Sequence, residues 1–206
     1  MLTSGLSFIW RVFIILLNAL VGASHQRKPF RRDRPSANFD TAYSKPALTD
    51  IDVRRRLGDL PRAQVLSVID GDSLVVSILR DEDEVRLDSI DCPEGRQTWG
   101  EQAASGLRKL IAGRLVLLEQ HGQDQYGRTL ATIYAVHLTN HEYINVNEHM
   151  FMLGHAWVNR LHYEHLPRDR QDKLNELQRL AKSKRLGLWS ELNPTPPWTW
   201  RKSNGC

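Results

Sequence analysis

The sequence predicts an α+β protein that is mainly β, and three observations carry this prediction. Two runs rich in β-branched residues, 65–69 and 74–78, flank the dipeptide Asp70-Gly71, which is typical of a β-hairpin. Alternation of polar and apolar residues predicts a third strand at 84–87, and further strands are predicted at 114–118 and 129–136. Apolar residues at helical spacing predict three helices, at 100–111, 146–153 and 168–185.

The ends of these elements are marked by glycine and proline. The strand at 84–87 is expected to end near Ile90, before the turn at Pro93. Gly113 and Gly187 are expected to end the first and the last helix. The tail 193–200 has too many prolines for a helix and two tryptophans too large to leave in water, so it is expected to lie extended across the domain.

Composition indicates an ordinary globular protein with a mild preference for polyanions. The chain has 206 residues, of which 41% are hydrophobic and 25% charged, and this excludes a collagen, a coiled coil and wholesale disorder. Two cysteines cannot form a disulfide framework, and no C-x-x-C pair is present for a structural zinc. The net charge of +4 is compatible with nucleic acid or an anionic membrane and does not decide between them.

The N-terminus has the outline of a signal peptide. An almost wholly apolar run from Phe8 to Val21 ends in small residues, and a cut after Ala23 would remove residues 1–23. The protein is therefore predicted to be secreted or periplasmic. Because the positive charge before the apolar run is weak, a retained membrane anchor, with membrane contact through the N-terminus, stays as the alternative.

A basic segment that contains four prolines, 24–62, follows the predicted signal. It shows no sustained hydrophobic period, so it is interpreted as a disordered linker. The alternative function for its arginine clusters is an arm that binds nucleic acid or lipid head groups. The folded domain is expected over 63–192, and the Pro/Trp-rich tail over 193–206.

Acidic and basic side chains crowd where the first strands and their loops should converge. They are Asp70, Asp72, Arg86, Asp91 and Glu94. Each alone has an ordinary structural explanation, such as a turn or a solvated strand face. Together, Asp72 and Asp91 offer hard oxygen ligands, and Glu94 lies three residues further along the same turn. Such a set suits calcium or magnesium.

Several separated motifs occur in the order found in a known family. They include Val68-Ile69-Asp70-Gly71-Asp72-Ser73, Val85-Arg86-Leu87, Ile90-Asp91-Cys92-Pro93-Glu94, Asp124-Gln125-Tyr126-Gly127-Arg128 and Lys184-Arg185-Leu186-Gly187-Leu188-Trp189. With these motifs, the chain resembles the staphylococcal (micrococcal) nuclease family, also called thermonucleases, over an SNase-like domain at 63–192. The resemblance implies a five-stranded OB-type barrel with about three helices, and calcium-dependent hydrolysis of phosphodiesters in DNA and RNA.

The resemblance also implies one Ca²⁺ ion per domain and a set of residues to hold it. Asp72 and Asp91 match the calcium-ligating carboxylates, and the backbone carbonyl of Cys92 matches a third protein ligand. Asp70 matches a carboxylate that lies next to the metal ligands without binding the metal itself. Both cysteines, Cys92 and Cys206, are expected to be free thiols.

Three further residues match the family's catalytic groups. Glu94 matches the general base, while Arg86 and Arg128 match the two arginines that grip the scissile phosphate. Such roles suit these residue types, because guanidinium forks can hydrogen-bond a phosphoryl transition state whose charge is increasing. Lysine would fit that geometry poorly.

The substrate pocket departs from the family pattern. Tyr126 matches a phosphate-contacting tyrosine, but Arg160 and His162 stand where two further tyrosines are familiar. Arg160 is therefore a candidate to stack on a base through its guanidinium plane, and Tyr163 a candidate to supply an aromatic face from a neighbouring position.

The predicted function is that of an exported, monomeric, calcium-dependent nuclease that acts on DNA and/or RNA with little sequence specificity. The alternative is a non-catalytic nucleic-acid-binding module, since OB barrels commonly hold single strands without cutting them. A pure binder need not retain Glu94 together with both arginines and both ligand aspartates, and this chain has all of them.

Overall fold

The computed structural model describes residues 57–136 and 142–205. The strands within these ranges are β1 (Arg62–Val68), β2 (Ser73–Ile78), β3 (Asp81–Leu87), β4 (Ile90–Asp91), β5 (Leu115–Gln123), β6 (Thr129–Val136), β7 (Tyr143–Asn145) and β8 (Trp157–Val158). The α-helices are α1 (Gly100–Ile111), α2 (Val146–Met152), α3 (Arg168–Ser183) and α4 (Pro197–Asn204). A short 3₁₀ turn, Gly187–Ser190, follows α3.

Five of the strands close into a barrel. β1 pairs antiparallel with both β2 and β5, β2 pairs with β3, and β5 pairs with β6. A parallel pairing of β3 with β6 closes the ring. β7 extends the sheet beside β6, while β4 and β8 form a separate two-stranded ribbon. The predicted α+β fold with a five-stranded OB-type barrel is therefore confirmed, and the described residues add a fourth helix, α4.

The barrel interior is filled by the inward-facing residues of alternating strand positions. Leu74 and Val76 on β2, and Val85 and Leu87 on β3, have no solvent exposure. Leu107 and its neighbours on the apolar face of α1 are buried in the same way. Each such aliphatic side chain contributes roughly 1.5–3 kcal/mol through burial, so the barrel is a rigid support for the loops at its ends.

The predicted hairpin between β1 and β2 is confirmed, but a four-residue loop makes its turn. In this loop, Oδ1 of Asp70 accepts the backbone N–H groups of Asp72 at 2.9 Å and Ser73 at 2.7 Å. A Cβ atom on Gly71 would lie 2.6 Å from the Cβ of Cys92 and 2.8 Å from that of Ala103. The glycine is thus required by close packing, which brings Asp72 next to the segment that contains Cys92.

The folded region begins before the expected boundary at Ala63. Leu57 is buried and packs with Leu117 and Tyr134, and Leu60 joins this cluster. The prediction that the linker is disordered through Arg62 is therefore wrong for residues 57–62. Isolated leucines next to an arginine run have no periodicity, so their burial could not be seen in the sequence.

The remaining N-terminal predictions, signal peptide 1–23 and linker residues 24–56, lie outside the described residues, as does Cys206. Cys92 is a free, buried thiol. In the ranges 57–136 and 142–205, no helix has both the length and the apolar character that crossing a membrane requires.

The prediction of an extended C-terminal tail is wrong, because Pro197–Asn204 is a helix. Pro196 is its N-cap and Pro197 its first residue. Proline is tolerated there, since the first helical N–H has no partner within the helix and φ already suits the helix. The helix ends at Gly205, whose φ of 68° is left-handed.

Candidate active site

Two buried carboxylates meet where β2 begins and β4 ends. Asp72 immediately precedes β2, and Asp91 is the last residue of β4. The backbone N–H of Cys92 donates to Oδ2 of Asp72 at 2.7 Å, which joins the two segments. Both aspartates are almost fully buried, with 2% and 1% exposure.

Arg86 on β3 bridges these two aspartates. Its Nη1 donates to Oδ1 of Asp72 at 2.7 Å, and its Nη2 donates to Oδ1 of Asp91 at 2.8 Å. Burial alone would lower the pKa of Arg86. The negative charges of Asp72 and Asp91 outweigh this effect and raise that pKa above its ordinary value. The guanidinium therefore remains charged between the two carboxylates.

The carboxylates carry more negative charge than Arg86 neutralises. Burial raises the pKa of Asp72 to about 7; Arg86 opposes this rise, and the charges of Asp70 and Asp91 add to it. A cation bound to these oxygens would relieve the repulsion, and carboxylate oxygens are the ligands that hard divalent cations prefer. The donor types therefore fit calcium or magnesium. All four oxygens of the two aspartates already accept hydrogen bonds from within the protein, so a bound cation would have to displace these donors or share the oxygens with them. Within the described ranges, however, no three His, Cys, Asp or Glu side chains are already arranged around a common metal position.

Glu94 lies on the loop between β4 and α1, close to Asp91. Its carbonyl accepts the N–H of Gln97 at 2.8 Å, and its own N–H donates to Oε1 of Gln97 at 3.2 Å. A Cβ atom on Gly100 would overlap the carbonyl of Glu94, so the loop folds tightly onto the start of α1. The Glu94 side chain is 30% exposed, so its carboxylate is partly open to solvent.

The far end of this loop is anchored by Trp99. Its φ is 74°, and its indole Nε1 donates to Nδ1 of His155 at 3.0 Å. Burial lowers the pKa of His155 to about 4, so the ring is neutral at pH 7 and can accept this hydrogen bond. The loop that carries Glu94 is thereby attached to the segment after α2.

Arg128 approaches the cluster from the start of β6. Oδ2 of Asp124 accepts from its Nε at 2.8 Å and pairs with its Nη2 at 2.7 Å. Its Nη1 lies 3.5 Å from Oγ of Ser73, and that hydroxyl also donates to Asp72 at 3.1 Å. The structure thus brings all the predicted metal-binding and catalytic side chains into one region.

Of the three residues predicted to contact substrate, only Tyr126 is shown to border the cluster. Tyr126 is 75% exposed, and Cζ of Arg128 lies 5.5 Å from its ring centre, so this tyrosine borders the cluster. Arg160 and Tyr163 follow β8, which pairs with β4. The guanidinium of Arg160 donates to Oδ1 of Asn175 on α3 at 3.2 Å, which holds it at the surface of that helix. Their role in substrate binding stays a prediction.

Sequence reasoning missed one charged residue of the cluster, Arg201 on α4. Its Nη1 donates to Oε1 of Glu94 at 2.6 Å, and its Nη2 donates to Oδ2 of Asp91 at 2.8 Å. The only local signal for this helix is a proline pair followed by residues that all permit helix formation.

Comparison with known proteins shows the family of this chain. The model of the family described as staphylococcal nuclease homologue matches residues 84–191. The chain belongs to this family. The matched segment contains Arg86, Asp91, Glu94 and Arg128, whereas Asp72 precedes it and α4 follows it.

Three relatives each align with about two thirds of the chain. A micrococcal nuclease of Shigella flexneri is 36% identical over 151 residues, which is 69% of this chain and 82% of the relative. An uncharacterized endonuclease of Escherichia coli O157:H7 is 37% identical over 138 residues, 67% of this chain and 83% of the relative. Protein ParB of Escherichia coli is 36% identical over 146 residues, 69% of this chain and 80% of the relative.

Proposed function

We propose that the protein is a calcium-dependent nuclease that hydrolyses phosphodiester bonds of DNA and/or RNA with little sequence specificity. The observation that carries the proposal is the meeting of two buried aspartates, a partly exposed glutamate and two arginines at one edge of the barrel. The names of two relatives, micrococcal nuclease and endonuclease, support the same reaction.

The residues of the cluster match the needs of phosphodiester hydrolysis. A phosphodiester is a stable anion, so its attack requires a deprotonated, correctly oriented water and neutralisation of the phosphate oxygens. The partly exposed carboxylate of Glu94 is suited to orient that water and to accept its proton. The guanidiniums of Arg86 and Arg128 can each form paired hydrogen bonds to phosphate oxygens.

The aspartates supply the place for a cation. Asp72 and Asp91, with the carbonyl of Cys92, would hold a calcium ion that acts as a Lewis acid on a non-bridging phosphate oxygen. Asp70 holds the loop of Asp72 in position through its hydrogen bonds to two backbone N–H groups. Few protein ligands are available, so coordination is expected to be completed by substrate and water.

The proposal is tested by incubating the purified protein with supercoiled plasmid and, separately, with RNA. In the presence of calcium, both are expected to be degraded to short fragments of many lengths, because no base-reading element is part of the proposed chemistry. An excess of chelator should reduce the rate to less than about a tenth. Retarded migration of intact nucleic acid, without cleavage, would instead establish the non-catalytic binding module.

Export is proposed on the N-terminal sequence alone. A cut after Ala23 would make Ser24 the first residue of the mature protein, and it would place a weakly specific nuclease outside the cytoplasm. N-terminal sequencing of the native protein from cell fractions checks this. A chain that begins at Met1 in the membrane fraction would favour the retained anchor instead.

A further inference from the structure

We propose that Arg201 of α4 is a positioning residue that holds the carboxylate of Glu94 for hydrolysis, so that the C-terminal helix is part of the active site. This inference rests on the proposed nuclease function. The family model matches residues 84–191, so this inference assigns a role in the proposed function to a segment that lies outside the match.

Arg201 links the buried carboxylate of Asp91 to the more exposed carboxylate of Glu94. Asp91 is fixed, because it is 1% exposed, pairs through β4 with β8 and is already bound by Arg86. Arg201 forks onto both oxygens of Asp91, at 2.8 Å to Oδ2 and 3.2 Å to Oδ1. From this anchor, its Nη1 reaches Oε1 of Glu94 at 2.6 Å. The ion pair therefore restrains the side chain of Glu94 relative to Asp91.

The segment around α4 is held in place independently of this ion pair. Nε2 of Gln97 donates to the carbonyl of Thr195 at 2.6 Å, and Oε1 of the same Gln97 accepts the N–H of Glu94. Pro197 is buried, and the ring of Trp198 packs edge-on against Trp157 with ring centres 5.6 Å apart. The tail is thus connected to the loop of Glu94 twice, once through Gln97 and once through Arg201.

This arrangement has a direct consequence for the chemistry of Glu94. Arg201 binds Oε1, and the other carboxylate oxygen remains as an acceptor for the attacking water. Restricting a general base to one orientation raises the fraction of molecules in reactive geometry, which acts on kcat. A lysine could not bond both carboxylates in the same planar fork.

The test compares steady-state cleavage of a DNA oligonucleotide, at saturating calcium, by wild type, Arg201→Gln and Lys202→Gln. Lys202 is the adjacent, exposed residue of α4, so its replacement removes the same charge without touching the cluster. Arg201→Gln is expected to lower kcat by about 10- to 100-fold with KM changed less than about threefold. Lys202→Gln is expected to match wild type.

A double-mutant cycle separates positioning of Glu94 from any direct role. If Arg201 acts through Glu94, Arg201→Gln should cost less than about threefold in kcat when Glu94 is already glutamine. Fully additive losses, or a rise in KM at unchanged kcat, would show a direct phosphate contact and overturn the proposal. A higher kcat for Arg201→Gln would show that the guanidinium blocks the site, and it would overturn the proposal equally.

The outcome stays decisive if one variant does not fold. Should thermal unfolding show that Arg201→Gln is unfolded, Arg201→Lys becomes the deciding variant, since it keeps the charge and the aliphatic stem. A reduced kcat at unchanged KM supports the proposal, whereas wild-type kcat overturns it. If wild type is active and Arg201→Gln is equally active, this inference alone is overturned. If wild type is inactive, the proposed function itself is overturned.

Discussion

Replacing Glu94 by glutamine should lower kcat for phosphodiester hydrolysis by about 10²–10⁴-fold, the range typical of losing a general base. Glutamine keeps the size of the side chain and a hydrogen-bonding oxygen but cannot accept a proton at neutral pH. KM should change little, since the aspartates and arginines that bind metal and phosphate are retained. Initial rates of oligonucleotide cleavage, measured over a range of substrate concentrations, give both constants.

The matched control for this variant is Glu82→Gln. Glu82 is an exposed glutamate on β3, the strand that also carries Arg86, and it should be replaceable without loss of activity. Both proteins should unfold at temperatures close to that of wild type, because neither side chain is buried. Wild-type turnover by correctly folded Glu94→Gln would remove this residue from the mechanism.

Replacing either Arg86 or Arg128 by lysine should lower kcat/KM on the order of 10²-fold or more. Lysine keeps the positive charge, so the loss isolates the paired hydrogen bonds that a guanidinium forms with phosphate. Both variants can be compared with wild type in the same cleavage assay. A loss below about threefold for both would contradict their proposed role as a phosphate clamp.

The two arginine variants should differ in stability. Arg86 donates to two buried aspartates, so Arg86→Lys loses one of these two charged hydrogen bonds, at a cost of about 1–3 kcal/mol in the metal-free protein. Arg128 pairs with Asp124 at a more open position, and its replacement should cost less. Arg179→Lys, which alters an exposed Arg–Glu pair on α3, is the control expected to change neither activity nor the urea midpoint.

Local patterns in the sequence predicted much of the fold. The helix at 100–111 and the strand at 129–136 have the predicted bounds. The helix buries one face whose periodicity is visible in the sequence, and the strand is a short, mostly apolar run that is buried on both faces. The parallel pairing of β3 with β6 depends on contacts between distant segments, so no local pattern predicts it, and only the family resemblance implies a closed barrel. The C-terminal helix departs from the prediction because proline disfavours a helix interior but is tolerated at the first turn, which is where Pro197 lies.

The candidate site also contains residues that the sequence predicts and one residue that it does not. Asp72, Arg86, Asp91 and Glu94 are close in sequence and lie at strand ends, so their meeting could be expected. Arg201 lies 107 residues from Glu94, and no spacing rule connects the two. Arg160 was expected at the substrate pocket, but its hydrogen bond to Asn175 depends on how α3 packs, which the sequence does not specify.

The dependence of the cleavage rate on calcium concentration, measured for wild type and for Asp91→Asn, tests the central claim most directly. Asparagine keeps the shape of this buried side chain but removes one charge from the proposed ligand set. Because ligand charge sets calcium affinity, the half-maximal calcium concentration should rise at least about tenfold. Asp172→Asn, an exposed change on α3, should leave the wild-type curve unaltered. Superimposable curves for wild type and Asp91→Asn would contradict the claim that the metal-dependent reaction takes place at this cluster.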